Sequence, residues 1–112
     1  MEEPNVFTKL VRDKVPEIIA SNGGNDFEIE TVSGPAFIEA LSRKLIEECN
    51  ELFDVQEREQ KIEDLADIVE VVYAFASELD VTPEEIERIR LEKREKRGGF
   101  DKKILLKSTK TA

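Results

Sequence analysis

Two short acidic motifs hold the residues best suited to chemistry: Glu47-Glu48-x-x-Glu51 and Asp64-x-x-Asp67. Carboxylates three residues apart on a helix lie on one face. Their oxygens are hard donors that suit magnesium or manganese rather than zinc or copper. The chain has no histidine, which excludes imidazole zinc sites and histidine bases and leaves metal or acid–base work to carboxylates.

What sets these acids apart is their helical phase. The pattern predicts one long helix from about Pro35 to Val55 and a second from about Lys61 to Leu79, with Gln56–Gln60 as a polar break. At roughly 100° per residue, Phe37, Leu41, Leu45 and Leu52 form an apolar stripe on the first helix. Glu48 falls inside that stripe, Glu51 on its edge beside Lys44, and Glu47 beyond the edge. On the second helix Leu65, Ile68, Val72, Phe75 and Leu79 form the stripe; Asp64 falls within it, Asp67 on its edge, and Glu63 and Glu70 on the polar side. A short connection favours antiparallel packing, which would bring the four acids Glu48, Glu51, Asp64 and Asp67 to one level of a bundle. There they repel unless cations sit among them. The plainer reading is a solvated acidic face, with basic neighbours such as Lys44 neutralising part of the charge.

These motifs need a scaffold to hold them. The 112 residues suffice for one small domain, 1–112, read as an N-terminal arm (1–34), a helical core (35–100) and a basic tail (101–112). Val15–Ala20 can form one or two turns behind Pro16, and Phe27–Val32 alternates apolar and acidic residues as an extended segment would. Thr82-Pro83-x-Glu85 has the form of a capping box opening a third helix, which Gly98-Gly99 ends after Arg97. The tail from Lys102 is basic and expected to fray, with Ile104-Leu105-Leu106 able to dock.

The net charge of −9 argues against a nucleic-acid polymer as partner, because phosphate backbones select a basic footprint. It is compatible with a nucleotide when a divalent cation separates carboxylate from phosphate. Cys49, the single cysteine, reads as a buried structural thiol. The N-terminus has neither the basic start nor the apolar run of a signal peptide, and no stretch is apolar enough for a bilayer, so the cytoplasm is expected. So small a domain with wide apolar faces is expected to assemble, as a homodimer or homotetramer.

Glu47-Glu48-x-x-Glu51 followed by Asp64-x-x-Asp67 resembles the Glu-Glu-x-x-Glu … Glu-x-x-Asp signature of the MazG-like, all-α nucleotide pyrophosphohydrolases. The stretches Lys9-Leu-Val-Arg-Asp-Lys-Val-Pro-Glu-Ile-Ile19 and Lys93-Arg-Glu-Lys-Arg-Gly-Gly-Phe100 resemble its phosphoribosyl-ATP pyrophosphohydrolase-like branch. The resemblance runs from about Val6 to Leu106, with one departure: Asp64 stands where the family usually has glutamate. It implies a MazG-like all-α bundle that hydrolyses a nucleoside triphosphate or related nucleotide to monophosphate and pyrophosphate, in house-cleaning of noncanonical nucleotides or, alternatively, in histidine synthesis. It also implies Mg2+ (or Mn2+) on Glu48, Glu51 and Asp67, with Asp64 ligating directly or through water. Glu47 is the candidate for activating water, or else a solvated residue. Arg12, Lys14, Lys93, Arg94 and Arg97 are candidates for the phosphates, although the last three equally suit the C-terminal dipole of their helix. Asp13 would orient Arg12 or touch substrate, and Phe100 would stack on a base or plug the core. Outside enzymes altogether, the same acids fit a non-catalytic helical interaction module.

Overall fold

The computed structural model describes residues 9–24, 26–54 and 57–110. Among them the chain forms four helices and no strand, an all-α arrangement: α1 (Val15–Ser21), α2 (Gly34–Asp54), α3 (Arg58–Glu78) and α4 (Pro83–Arg97). Pro16 sits in the first turn of α1, where its missing N–H costs nothing. The N–H groups of Asn22, Gly23 and Gly24 then fold back onto the carbonyls of Ile18, Ala20 and Ile19 and end the helix. Gly23, at φ 91°, supplies the left-handed turn. The alternating segment Phe27–Val32 joins no sheet and has no regular structure.

Helices α2 and α3 form the body. The predicted break between them is narrower than the polar run Gln56–Gln60 suggested, since α3 begins at Arg58; Val55 and Gln56 lie outside the described residues. Glu57 adopts the extended conformation of an N-cap, and Arg58-Glu59-Gln60 are good helix formers whose exposed turn lacks apolar residues. Lys61 Nζ donates to the Leu52 carbonyl at 3.0 Å, one of the last four of α2 that have no partner within the helix. Leu41 from α2 and Val71 and Ala76 from α3 are the buried apolar residues, so the dry core is thin.

Helix α3 ends in a Schellman turn. Val81 N–H bonds to the Ala76 carbonyl at 2.8 Å and Asp80 N–H to that of Ser77 at 3.0 Å, with Asp80 at φ 58° in the position usually given to glycine. Thr82 then caps α4, its Oγ1 accepting from the Glu85 N–H at 3.1 Å, a contact worth about 1 kcal/mol. Beyond its first turn α4 has little to lie on: every residue from Glu87 to Lys110 is exposed. Phe100 is 95% exposed and does not plug the core, and Ile104, Leu105 and Leu106 do not dock on this chain.

The outline is therefore elongated, 62 × 35 × 31 Å. Its radius of gyration is 18.8 Å, against roughly 13 Å for a compact domain of this length. Its accessible surface is 10424 Å², against roughly 6,300 Å² for a folded monomer of this mass. No helix of the described residues is long and apolar enough to cross a membrane.

Candidate metal and nucleotide site

Helix α2 packs antiparallel on α3 and the N-terminal arm lies against both; of the two acidic motifs, Glu48 and Asp67 meet at this junction, while Glu47, Glu51 and Asp64 lie outside it. A cavity of about 350 Å³ opens between these three elements. Its arm wall is Leu10 to Asp13, including Arg12 and Asp13. Its floor is formed by Leu41 and Lys44 with Glu48, and Asp67, Glu70 and Val71 face them from α3. Glu70, placed on the polar side by helical phase, reaches this wall, because the arm turns that flank of α3 into the edge of a cavity. Periodicity within one helix carries no signal for a neighbour arriving from elsewhere in the chain.

For Glu48, Asp64 and Glu63 the phase is as read; Glu47, expected beyond the stripe edge, is half-buried, and Glu51, expected on that edge, is exposed. Glu48 is 6% and Asp64 2% exposed, whereas Glu63 points to solvent. Glu48 pairs with Lys44 at 3.2 Å, and Asp64 Oδ1 accepts from Gln60 Nε2 at 3.1 Å. Each acid keeps one buried oxygen without a protein partner, Glu48 Oε2 and Asp64 Oδ2. A buried carboxylate oxygen left without a hydrogen bond is costly.

The remaining charges are compensated from the arm and from α2. Asp67 Oδ1 accepts from Arg12 at 2.6 Å. Glu47 Oε1 lies 3.1 Å from Lys9 and 3.5 Å from Lys44. Burial works against ionisation of Glu47, but the hydrogen bond from Lys9 and the charges of Lys44 and Lys9 outweigh it and hold its carboxyl below the ordinary range. Glu51 shifts the other way: partial burial, then the neighbouring charges of Glu48 and Glu47, push its carboxyl up.

Hard oxygen donors and two orphaned buried oxygens suit a divalent cation. The four acids are not gathered around one point, however; among the described residues no group of three or more His, Cys, Asp or Glu side chains stands ready to hold one ion. Lys44 and Arg12 lie against two of those acids instead.

Of the expected phosphate contacts, Arg12 and Asp13 line the cavity. Lys14 occupies the N-cap of α1, outside the cavity wall. Lys93, Arg94 and Arg97 stand on the exposed end of α4 and are not part of that wall. Arg94 pairs with Asp101 at 3.5 Å and lies over Gly99, where any β-carbon would meet its guanidinium. Cys49, expected to be buried, is half-buried at the margin of the helix pair.

Because Lys44 is the direct counter-charge of a buried acid, Lys44→Met is expected to lower unfolding free energy by about 3 kcal/mol in metal-free buffer. Urea unfolding measures it, and an unchanged midpoint would mean that Glu48 gains nothing from the pair. Comparison with protein-family models, with curated proteins and with solved structures finds no match to this chain.

Proposed function

We propose that the chain is a magnesium-dependent nucleotide pyrophosphohydrolase, hydrolysing a nucleoside triphosphate or a related nucleotide to the monophosphate and pyrophosphate. The observation that carries this reading is the pair of buried acids on facing helices, Glu48 and Asp64, each with an unpartnered oxygen. They lie on the same helix pair that floors a cavity walled by an arginine. Burying such acids costs a bundle stability unless a partner or a cation offsets the charge. The sequence resemblance to the MazG-like family supplies the reaction.

Glu48, Glu51, Asp64 and Asp67 would hold the cation, with Mn2+ an acceptable substitute for Mg2+. When bound, it neutralises phosphate charge and acidifies water. Arg12, which bonds to Asp67 in this structure, would contact the outer phosphates, to which a guanidinium can donate two parallel bonds, and Asp13 lines the same wall, where it would orient Arg12 or touch substrate. Glu47 accepts the hydrogen bond of the attacking water; as the water oxygen bonds to phosphorus and the anhydride bond breaks, the proton passes to the carboxylate and pyrophosphate leaves. Lys9 and Lys44, which hold the Glu47 carboxyl below its ordinary range, weaken it as a base while they stay in place. We further propose a cytoplasmic homo-oligomer, in keeping with the excess accessible surface.

A second reading has its own observation. Arg12 and Lys44 already neutralise Asp67 and Glu48 within the chain, as they would in a non-catalytic acidic module. Pyrophosphate release from a panel of nucleotides, phosphoribosyl-ATP included, with and without magnesium, tests the first reading. Magnesium-dependent release supports it and ranks the substrates. No release from any nucleotide, with no rise in melting temperature on adding magnesium beyond that of matched ionic strength, leaves the acidic module.

A further inference from the structure

Helix α3 has two apolar faces, and only one is used. Its inner face, with Val71, packs on α2. On the outer side Ile62, Leu65, Val69 and Tyr73 recur at helical spacing and stay exposed, a stripe roughly 16 Å long at 1.5 Å per residue. Glu59, Glu63 and Glu70 run along one border of that stripe. The stripe is therefore apolar with an acidic rim.

The far end of the chain has the complementary pattern. Lys102 to Lys110 carries four lysines and no acid, while all of the chain's acidic residues precede it. Within it Ile104, Leu105 and Leu106 are bracketed by Lys103 and Lys107, and each is at least three-quarters exposed. Helix α4 leads this segment out, since every residue from Glu87 to Lys110 is exposed. A projecting helix ending in a basic, apolar segment suits a neighbour rather than its own body. The accessible surface exceeds that of a compact monomer by roughly 4,000 Å², several times the ~800 Å² per partner of a standard interface.

We infer that α4 and the tail form an exchanged arm, with Ile104-Leu105-Leu106 of one copy lying on the Ile62–Tyr73 stripe of a second copy and the flanking lysines meeting Glu59, Glu63 and Glu70. The exchange is reciprocal, so one two-fold axis covers both stripes and both tails. The inference rests on the oligomer proposed above and is independent of the reaction.

Sedimentation of the full chain at micromolar concentration, beside Leu105→Asp and Val69→Asp, tests it. Both side chains are exposed in the single chain, so circular dichroism should show the helices of both variants intact. The wild type is expected to be dimeric or larger. Each substitution should weaken assembly about tenfold or more, because it places a charge in the apolar contact. In a Cys49→Ser background, oxidising a mixture of Leu105→Cys copies and Val69→Cys copies should give a disulfide-linked heterodimer. A monomeric wild type overturns both the oligomer and the arm. An oligomer indifferent to Leu105→Asp overturns the arm alone, as does a Leu105→Cys/Val69→Cys double variant that closes its disulfide within one monomeric chain.

Discussion

Asp67→Asn is expected to cut magnesium-dependent pyrophosphate release by at least about a hundredfold, beyond the loss typical of an outer-shell partner of a metal, while the fold stays intact. The side chain is partly exposed and its one ion-pair partner among the described residues is Arg12, itself more than half exposed. Such a pair is screened by water and contributes at most about 1 kcal/mol to stability. A large loss of turnover with a small change in urea midpoint would therefore assign Asp67 to the cation rather than to packing. Full turnover by the variant at ordinary magnesium concentration would remove Asp67 from the ligand set and the second motif from the proposed chemistry.

Asp64→Leu should do the reverse to stability. The carboxylate is almost wholly buried and, among the described residues, has Gln60 for one oxygen and no partner for the other. Replacing a buried ionic group by an apolar one of similar volume often stabilises by about 1–4 kcal/mol. We expect a rise of that order in magnesium-free buffer, read from urea unfolding with an unchanged slope. The wild type should instead gain stability from magnesium, about 2.7 kcal/mol at a hundredfold excess over the dissociation constant, and the variant should lose most of that gain. Destabilisation of the variant in the absence of metal would show that the Gln60 hydrogen bond makes Asp64 structural. The reach of this short acid is tested by the same titration.

The parts legible in the sequence are those governed by local rules. Thr82 and Pro83 announced α4, and helical phase separated buried Glu48 and Asp64 from exposed Glu63, because both depend only on residues within a few turns. What periodicity missed depends on distant neighbours. Glu70 became a cavity wall only because the arm crosses it. The start of α3 at Arg58 was hidden because its first turn is polar on all sides. Ile104-Leu105-Leu106 looked able to dock, but its apolar character names no surface. That three cations would lie against Glu47, Glu48 and Asp67 was foreseeable for Lys44, three and four residues from its partners, and invisible for Lys9 and Arg12.

The hairpin of α2 and α3, closed by Lys61 on the Leu52 carbonyl, also bears on how quickly the chain reaches its structure. Its contacts join segments adjacent in sequence, the class of topology that folds in microseconds to milliseconds. Closing it, however, dehydrates Glu48 and Asp64 on the way, so the electrostatic cost falls on the approach to the transition state. Magnesium or added salt should accordingly steepen the rise in refolding rate more than it slows unfolding, which a stopped-flow chevron would show. A larger effect on unfolding would place the burial of these acids after the barrier. If refolding responds more, the two buried acids also set the pace at which the hairpin closes.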